Sequence, residues 1–221
     1  MNLDDQQALT APFPLAELDW RLGSLKNGRY LALPYVDARA IQNRLDNVVG
    51  LMNWQDTYQI HPDGILCTLS IRFDSDPTWV SKMNGSPETH IESFKGGISK
   101  AFIRAAVNWG IGRYLYDVGE LYARPCSAET VGCKKDKRLI WIPPELPIEF
   151  LNNEDAEQRF KLKLISEVTN KLIVLHSKKE YESATDFISK ELGRPFKGND
   201  IPSLILKDFE KVDNILDNFS T

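Results

Sequence analysis

The chain is poor in the side chains from which most active sites are built. Its 221 residues include three cysteines (Cys67, Cys126, Cys133) and three histidines (His61, His90, His176). Only Cys126 and Cys133 lie close together, and no histidine is near them. That lies outside the usual zinc-ligand spacings, so reduced thiols are expected and a metal site is not. The histidines are isolated and flank no Asp or Ser pattern, so loop or surface positions are expected for them. No G-x-x-x-x-G-K-[ST] is present, so FKGGISKA (residues 94–101) is not a phosphate loop despite its glycines and lysines, and G-x-S-x-G is absent too. No cofactor is expected, and neither is an enzyme. No apolar run approaches the roughly 18 residues of a membrane span. The N-terminal MNLDDQQALTAPF has acids where a secretory signal carries cations, so the chain is expected in the cytoplasm. There are no internal repeats and no low-complexity tract.

What is present is enough for one real core with length to spare. Apolar residues make up 42% of the chain and charged residues 26%, an ordinary globular balance. The net charge of −4 conceals an uneven distribution. Residues 1–20 hold Asp4, Asp5, Glu17 and Asp19 and no cation. Residues 21–145 carry 16 Lys+Arg against 13 Asp+Glu, and residues 146–221 carry 11 against 14. A mildly basic middle between acidic ends permits phosphate binding without establishing it.

Periodicity predicts an α+β fold: an antiparallel β-β-β-α core with a preceding helix, followed by a small helical C-terminal unit. Residues 14–23 (PLAELDWRLG) read as a short helix and 29–33 as a strand. Ala38, Ile41, Leu45, Val48 and Met52 recur at helical steps, with Asp37 suited to the start of the helix and Gly50 to its end. Three strands are expected at 54–61, 65–73 and 78–83, joined by Asp-Gly and Asp-Pro turns. A long helix follows, with Ile91, Phe94, Ile98, Phe102, Ala105 and Trp109 on its core stripe. A second stripe carries Ser93, Gly97, Lys100, Arg104 and Asn108. Gly96–Gly97 disfavours the helix by about 1 kcal/mol per glycine, which points to a close approach there by a neighbouring subunit or a phosphate backbone. CKKDKR (133–138) belongs at the tip of a hairpin, and Pro143–Pro144 and Pro147 mark a linker. The expected units are thus 1–145 and 146–221, the second with helices at 154–177, 178–192 and 202–219. Its apolar stripes are Leu162, Ile165 and Leu172; Ala184, Ile188 and Leu192; Ile205, Phe209 and Leu216.

Lys100 and Arg104 stand one turn apart with no acid on their stripe, Arg39 and Arg44 come from the earlier helix, and Arg113 follows the Gly110/Gly112 break. A solvated helix face and a phosphate-binding face are both consistent with that pattern.

Two blocks decide between them. YVDARAIQNRLDNVVGLMNW (35–54) followed by FKGGISKAFIRAAVNWGIGRYLY (94–116) resembles the Rad52/Rad22 family of single-strand annealing proteins, in particular its bacterial and phage branch. The resemblance runs from residue 12 to about residue 125. It implies a β-β-β-α core that assembles into homo-oligomeric rings or filaments and carries single-stranded DNA along a basic groove without hydrolysing nucleotide. It matches Arg104 and Lys95 to basic positions of the inner DNA groove and sets Arg39 one residue from a groove arginine. With Arg44, Lys100 and Arg113 from the charge pattern, the expected DNA-binding set is Arg39, Arg44, Lys95, Lys100, Arg104 and Arg113. Eukaryotic members carry further cations where this chain has Ile103 and Val107, and the family's second, outer DNA site has no clear counterpart beyond Lys82 and Arg72. The DNA-binding role that the resemblance implies places the expected chain at the nucleoid. The expected function is ATP-independent binding and annealing of single strands in recombination and double-strand break repair. Annealing requires phosphates held and bases free, so cations should outweigh aromatics in the groove. The alternatives are 3′-end protection without annealing, a metal nuclease using Asp63, Asp74 and Asp76, and a scaffold acting through the tail. The tail itself is a candidate surface for a single-strand-binding protein or a recombinase.

Overall fold

Two residues with positive φ, Asn27 and Gly28, turn the chain back on itself early. They join β1 (Leu18–Lys26) to β2 (Arg29–Val36) in an antiparallel hairpin whose register runs from Leu18 opposite Val36 to Lys26 opposite Arg29. The helix expected over 14–23 is therefore not formed. Leu15–Glu17 make one 3-10 turn, and Leu18 and the residues after it enter the strand. The computed structural model describes residues 3–73, 76–87, 93–177, 181–204 and 206–219. Asp74, Ser75, His90, Ile91, residues 178–180 and Ile205 lie outside that set, as do the side chains of Asp76, Ser93, Lys95 and His176.

The order of elements is α+β. A short helix, α1 (Leu3–Thr10), precedes the hairpin, and α2 (Ala38–Val48) follows it. Asp37 caps α2 by accepting from the Ala40 N–H at 2.9 Å, which satisfies a donor that has no partner within the helix. The helix ends sooner than its stripe predicted, so Met52 is exposed rather than buried. Next come β3 (Trp54–His61), β4 (Gly64–Phe73) and β5 (Asp76–Pro87), an antiparallel meander with β4 in the centre. One face of β4 is buried throughout, through Ile65, Cys67, Leu69 and Ile71, while on the other Ser70 is also buried and bonds to Ser81. They share a core with Ile41 and Leu45 of α2 and with α3 (Ser93–Asn108), which packs on β4 and β5.

Alanine in α3 serves this close packing. Ala101, Ala105 and Ala106 are fully buried, and a Cβ at Gly97 would stand 2.8 Å from Ile65 Cδ1. The close neighbour at Gly97 is thus the chain's own sheet, whereas Gly96 faces open space. Gly97 meets β4 one residue from its start, so Phe94, a turn earlier, overhangs the strand ends. It is 58% exposed, where the stripe had placed it in the core.

After α3, β6 (Arg124–Pro125), β7 (Lys134–Lys135) and β8 (Ile140–Ile142) form a small sheet in the order β6-β8-β7. Trp141 and Ala123 pack with Leu22 and Ala32 of the β1–β2 hairpin. The loop between β6 and β7 returns Cys133 to Cys126 and the two are joined as a disulfide, which corrects the expectation of free thiols. Cys67 is free and buried.

The chain divides into two compact units, Met1–Asn152 and Asn153–Thr221. The proline-marked linker at 145/146 precedes that division because Leu146 and Leu151, either side of the 3-10 turn Ile148–Phe150, are themselves buried. The second unit has its own core. Helices α4 (Asn153–Ser177), α5 (Tyr181–Leu192) and α6 (Leu206–Phe219) bury Val168, Leu172, Ala184, Ile188, Phe209 and Leu216. Leu162, expected on that stripe, is exposed, and Pro202 lies inside the 3-10 turn Gly198–Ser203 instead of starting a helix. Lys171 bridges Asp213 at 2.7 Å and Asp217 at 2.6 Å, tying α4 to α6. No helix among the described residues is long and apolar enough to cross a membrane.

Candidate nucleic-acid interface

The rotation of α3 is fixed from its buried side. Phe102 is buried with its ring centroid 6.1 Å from that of Trp54, and the Trp109 indole N–H donates to the Leu69 carbonyl at 3.2 Å. With 3.6 residues per turn, that anchoring leaves Lys100 and Arg104 on the outer face, where both are exposed.

The same face is laced to the edge strand β5. Arg104 Nη1 donates to the Gly85 carbonyl at 3.0 Å, and Asn84 Nδ2 donates to the Arg104 carbonyl at 3.2 Å. One turn on, Asn108 Nδ2 donates to the Met83 carbonyl at 2.9 Å. An edge strand has unpaired main-chain groups, and α3 uses them.

The C-terminus of α3 gathers more cations for a physical reason: its last carbonyls lack helical partners and form the negative end of the helix dipole. Gly110 (φ +91°) and Gly112 (φ +67°) turn the chain back, which lets Arg113 donate to the Val107 and Asn108 carbonyls at 3.0 Å each. Lys82 donates to the Asn108 carbonyl at 2.9 Å and lies 4.4 Å from the Trp109 ring centroid. Among the described residues no carboxylate pairs with Lys82, Lys100, Arg104 or Arg113. A guanidinium has five N–H donors, so Arg104 and Arg113 keep donors for solvent or a phosphate oxygen after these internal bonds.

The remaining candidates have other surroundings. Arg44 is half-buried. Its guanidinium donates to the Ala11 and Pro12 carbonyls and stacks 3.6 Å from the Phe13 ring centroid, and burial holds its pKa below the ordinary value. It anchors the N-terminal segment. Arg39 lines an open cavity of about 470 Å³ with Glu17, Asp19 and Asp37, whose carboxylates oppose a phosphate there. Lys95 lies in the first turn of α3. Arg72 donates to Asn53 Oδ1 at 3.0 Å and to the Met52 carbonyl at 3.2 Å, holding the loop after α2.

Asp63 sits on an exposed turn 3.4 Å from His61 Nδ1, and no group of three metal-ligating side chains occurs among the described residues. Burial raises the Cys67 thiol to about 11, which disfavours a nucleophilic thiolate.

Sequence reasoning passed over Arg21, and it named Lys82 only with Arg72, for a second, outer DNA site, not for the end of α3 where it lies. Lys82 joins the seam only because it pairs with Leu69 in the sheet, a register that no local pattern shows. Arg21 stood in the stretch read as a helix, although Leu18, Trp20 and Leu22 alternate and Asn27–Gly28 is a hairpin signal.

The family model for Rad52/22 family double-strand break repair proteins matches residues 62–124, a span that includes β4, β5, α3 and the glycine break. The single-stranded DNA-binding protein DdrA of Deinococcus deserti is 34% identical over 150 residues, covering 66% of this chain and 70% of that protein. DdrA of Deinococcus radiodurans is 34% identical over 126 residues, covering 56% of this chain and 60% of that protein.

Proposed function

Because the chain belongs to the Rad52/22 family of double-strand break repair proteins, we propose that it binds single-stranded DNA along the α3–β5 seam and anneals complementary strands in DNA repair. The observation that carries this reading is the outer face of α3, where Lys100 and Arg104 are exposed and pair with no carboxylate among the described residues, and Arg113 continues the line past the helix end. Phe102 and Trp109 face the core instead. Held this way, a strand is gripped by its phosphates while most bases remain free to pair. The reading needs no nucleotide hydrolysis and no cofactor, and it takes the working form to be a homo-oligomer, ring or filament, that aligns the seams of successive copies.

The test has two parts. Affinity for a single-stranded oligonucleotide should fall with salt at a log–log slope of roughly −0.7 per phosphate neutralised. Lys100→Ala and Arg104→Ala should each make that slope shallower. Fluorescently labelled complementary oligonucleotides should then pair faster with the protein than without it. A salt-insensitive affinity rejects the seam. Tight binding with no acceleration of pairing rejects annealing and leaves strand protection.

A further inference from the structure

Beside the cationic face of α3 lies a cleft that the phosphate track does not use. It is bounded by β2, by Ile103 and Val107 of α3, and by the turn after the glycine break, and it has a volume of about 270 Å³. Leu33, Pro34, Ile111 and Leu115 make its walls apolar, and no carboxylate lines it. A pocket of this size is below the range for drug-sized ligands and suits one planar ring system.

Its rim is polar in one sense only. Arg21, exposed and directly opposite Leu33 in the hairpin, stands on the β1 side. On the other side Val107 lines the cleft and its carbonyl accepts from Arg113, while Arg104 turns away to the Gly85 carbonyl of β5. The cleft is therefore flanked by cations on both sides. At its mouth Tyr116 is 69% exposed, a large aromatic with no hydrogen-bond partner among the described residues. An aromatic ring at an apolar slot between cations is the layout that stacks a base while its phosphates are held outside.

Resting on the single-strand reading above, we propose that this cleft accepts one nucleobase of the bound strand, stacked on Tyr116, with Arg21 and Arg113 holding the flanking phosphates. One base per chain is drawn in and sets the strand's register, and its neighbours stay available for pairing. Stacking tolerates every base because each has a π-face, so the pocket imposes no sequence preference.

The experiment compares a thymidine oligonucleotide with an abasic strand of equal length, using the full chain at fixed salt. The intact protein should bind the thymidine strand roughly tenfold more tightly. Tyr116→Ala should bring the two affinities close to equality with an unchanged salt slope, and Tyr116→Phe, which keeps the ring, should restore the difference. Tyr116 is mostly exposed, so both variants should melt like the parent. A difference that survives in Tyr116→Ala overturns the pocket's location. Equal, salt-sensitive binding of both strands by the intact protein overturns the base pocket and leaves the cleft to an apolar side chain of a protein partner. Failure to bind either strand overturns the single-strand reading itself.

Discussion

Arginines with similar credentials in the sequence have different tasks, and their hydrogen bonds separate them. Arg44 gives its donors to two main-chain carbonyls and its face to Phe13, so removing it leaves partly buried acceptors without that partner and strips the contact from the Phe13 ring. Arg44→Ala should lower unfolding stability by about 1–3 kcal/mol in urea melts and leave the salt slope of DNA binding unchanged. Lys100 presents the opposite case. Exposed and unpaired among the described residues, it contributes little to the fold, so Lys100→Ala should melt like the parent while its DNA binding weakens. Arg113 does both jobs. Arg113→Ala should lose about 0.3–1 kcal/mol of stability through the exposed cap at the end of α3, in addition to losing affinity. If Arg44→Ala made the salt slope shallower and Lys100→Ala did not, these assignments would be reversed.

α3 shows how far an element can be read before its partners are known. The core positions Phe102, Ala105 and Trp109 follow from helical periodicity alone, as does the outward stripe of Lys100 and Arg104. What the helix touches does not follow. Gly97 read as a place for a foreign backbone and is filled by Ile65, and Phe94 fits the stripe but lies beyond the strand that would bury it. Because three alanines let the helix lie close to β4 and β5, enlarging one should overpack the contact. Ala105→Leu should cost roughly 1–3 kcal/mol, measured by urea denaturation, without touching the cationic face. The small sheet β6-β8-β7 is fastened to the hairpin partly by charge. Burial alone would raise the Asp19 pKa, but hydrogen bonds from Lys134, the Trp20 N–H and Tyr35 outweigh it, so the carboxyl titrates below its ordinary value. A depressed carboxylate contributes stability above its unfolded pKa of about 3.9 and loses it as pH falls through the folded value. Protection factors of the β8 amides, with the intrinsic exchange rate at each pH divided out, should accordingly fall on acidification below pH 4, and Asp19→Asn should show the lower protection already at neutral pH. Half-exposed groups make the effect modest.

At the scale of the molecule, each unit on either side of the division at 152/153 has a hydrophobic core of its own. The proline-rich stretch indicated that a boundary lay near, but its place depended on Leu146 and Leu151 being buried, which composition does not reveal. A fragment ending at Asn152 retains the three-stranded sheet, α3, the small sheet and all of Lys100, Arg104, Arg113 and Tyr116. The residues removed carry 11 Lys+Arg against 13 Asp+Glu, so the charge left behind rises from −4 to −2. Reduced repulsion of a polyanion should leave affinity for single strands equal or slightly greater at low salt, and the two proteins should converge as salt screens the difference. The salt slope should be identical in both, since every phosphate contact assigned to the seam lies before residue 152. Residues 153–221 form three helices around one small core, a size at which independent folding is marginal, so that fragment should melt at a lower temperature than the first. Limited proteolysis of the intact chain checks the boundary directly. Cleavage clustered around residues 151–153, releasing a soluble fragment that binds DNA with the parent's slope, supports two separable units, and an aggregated N-terminal fragment shows that its fold depends on the helices removed.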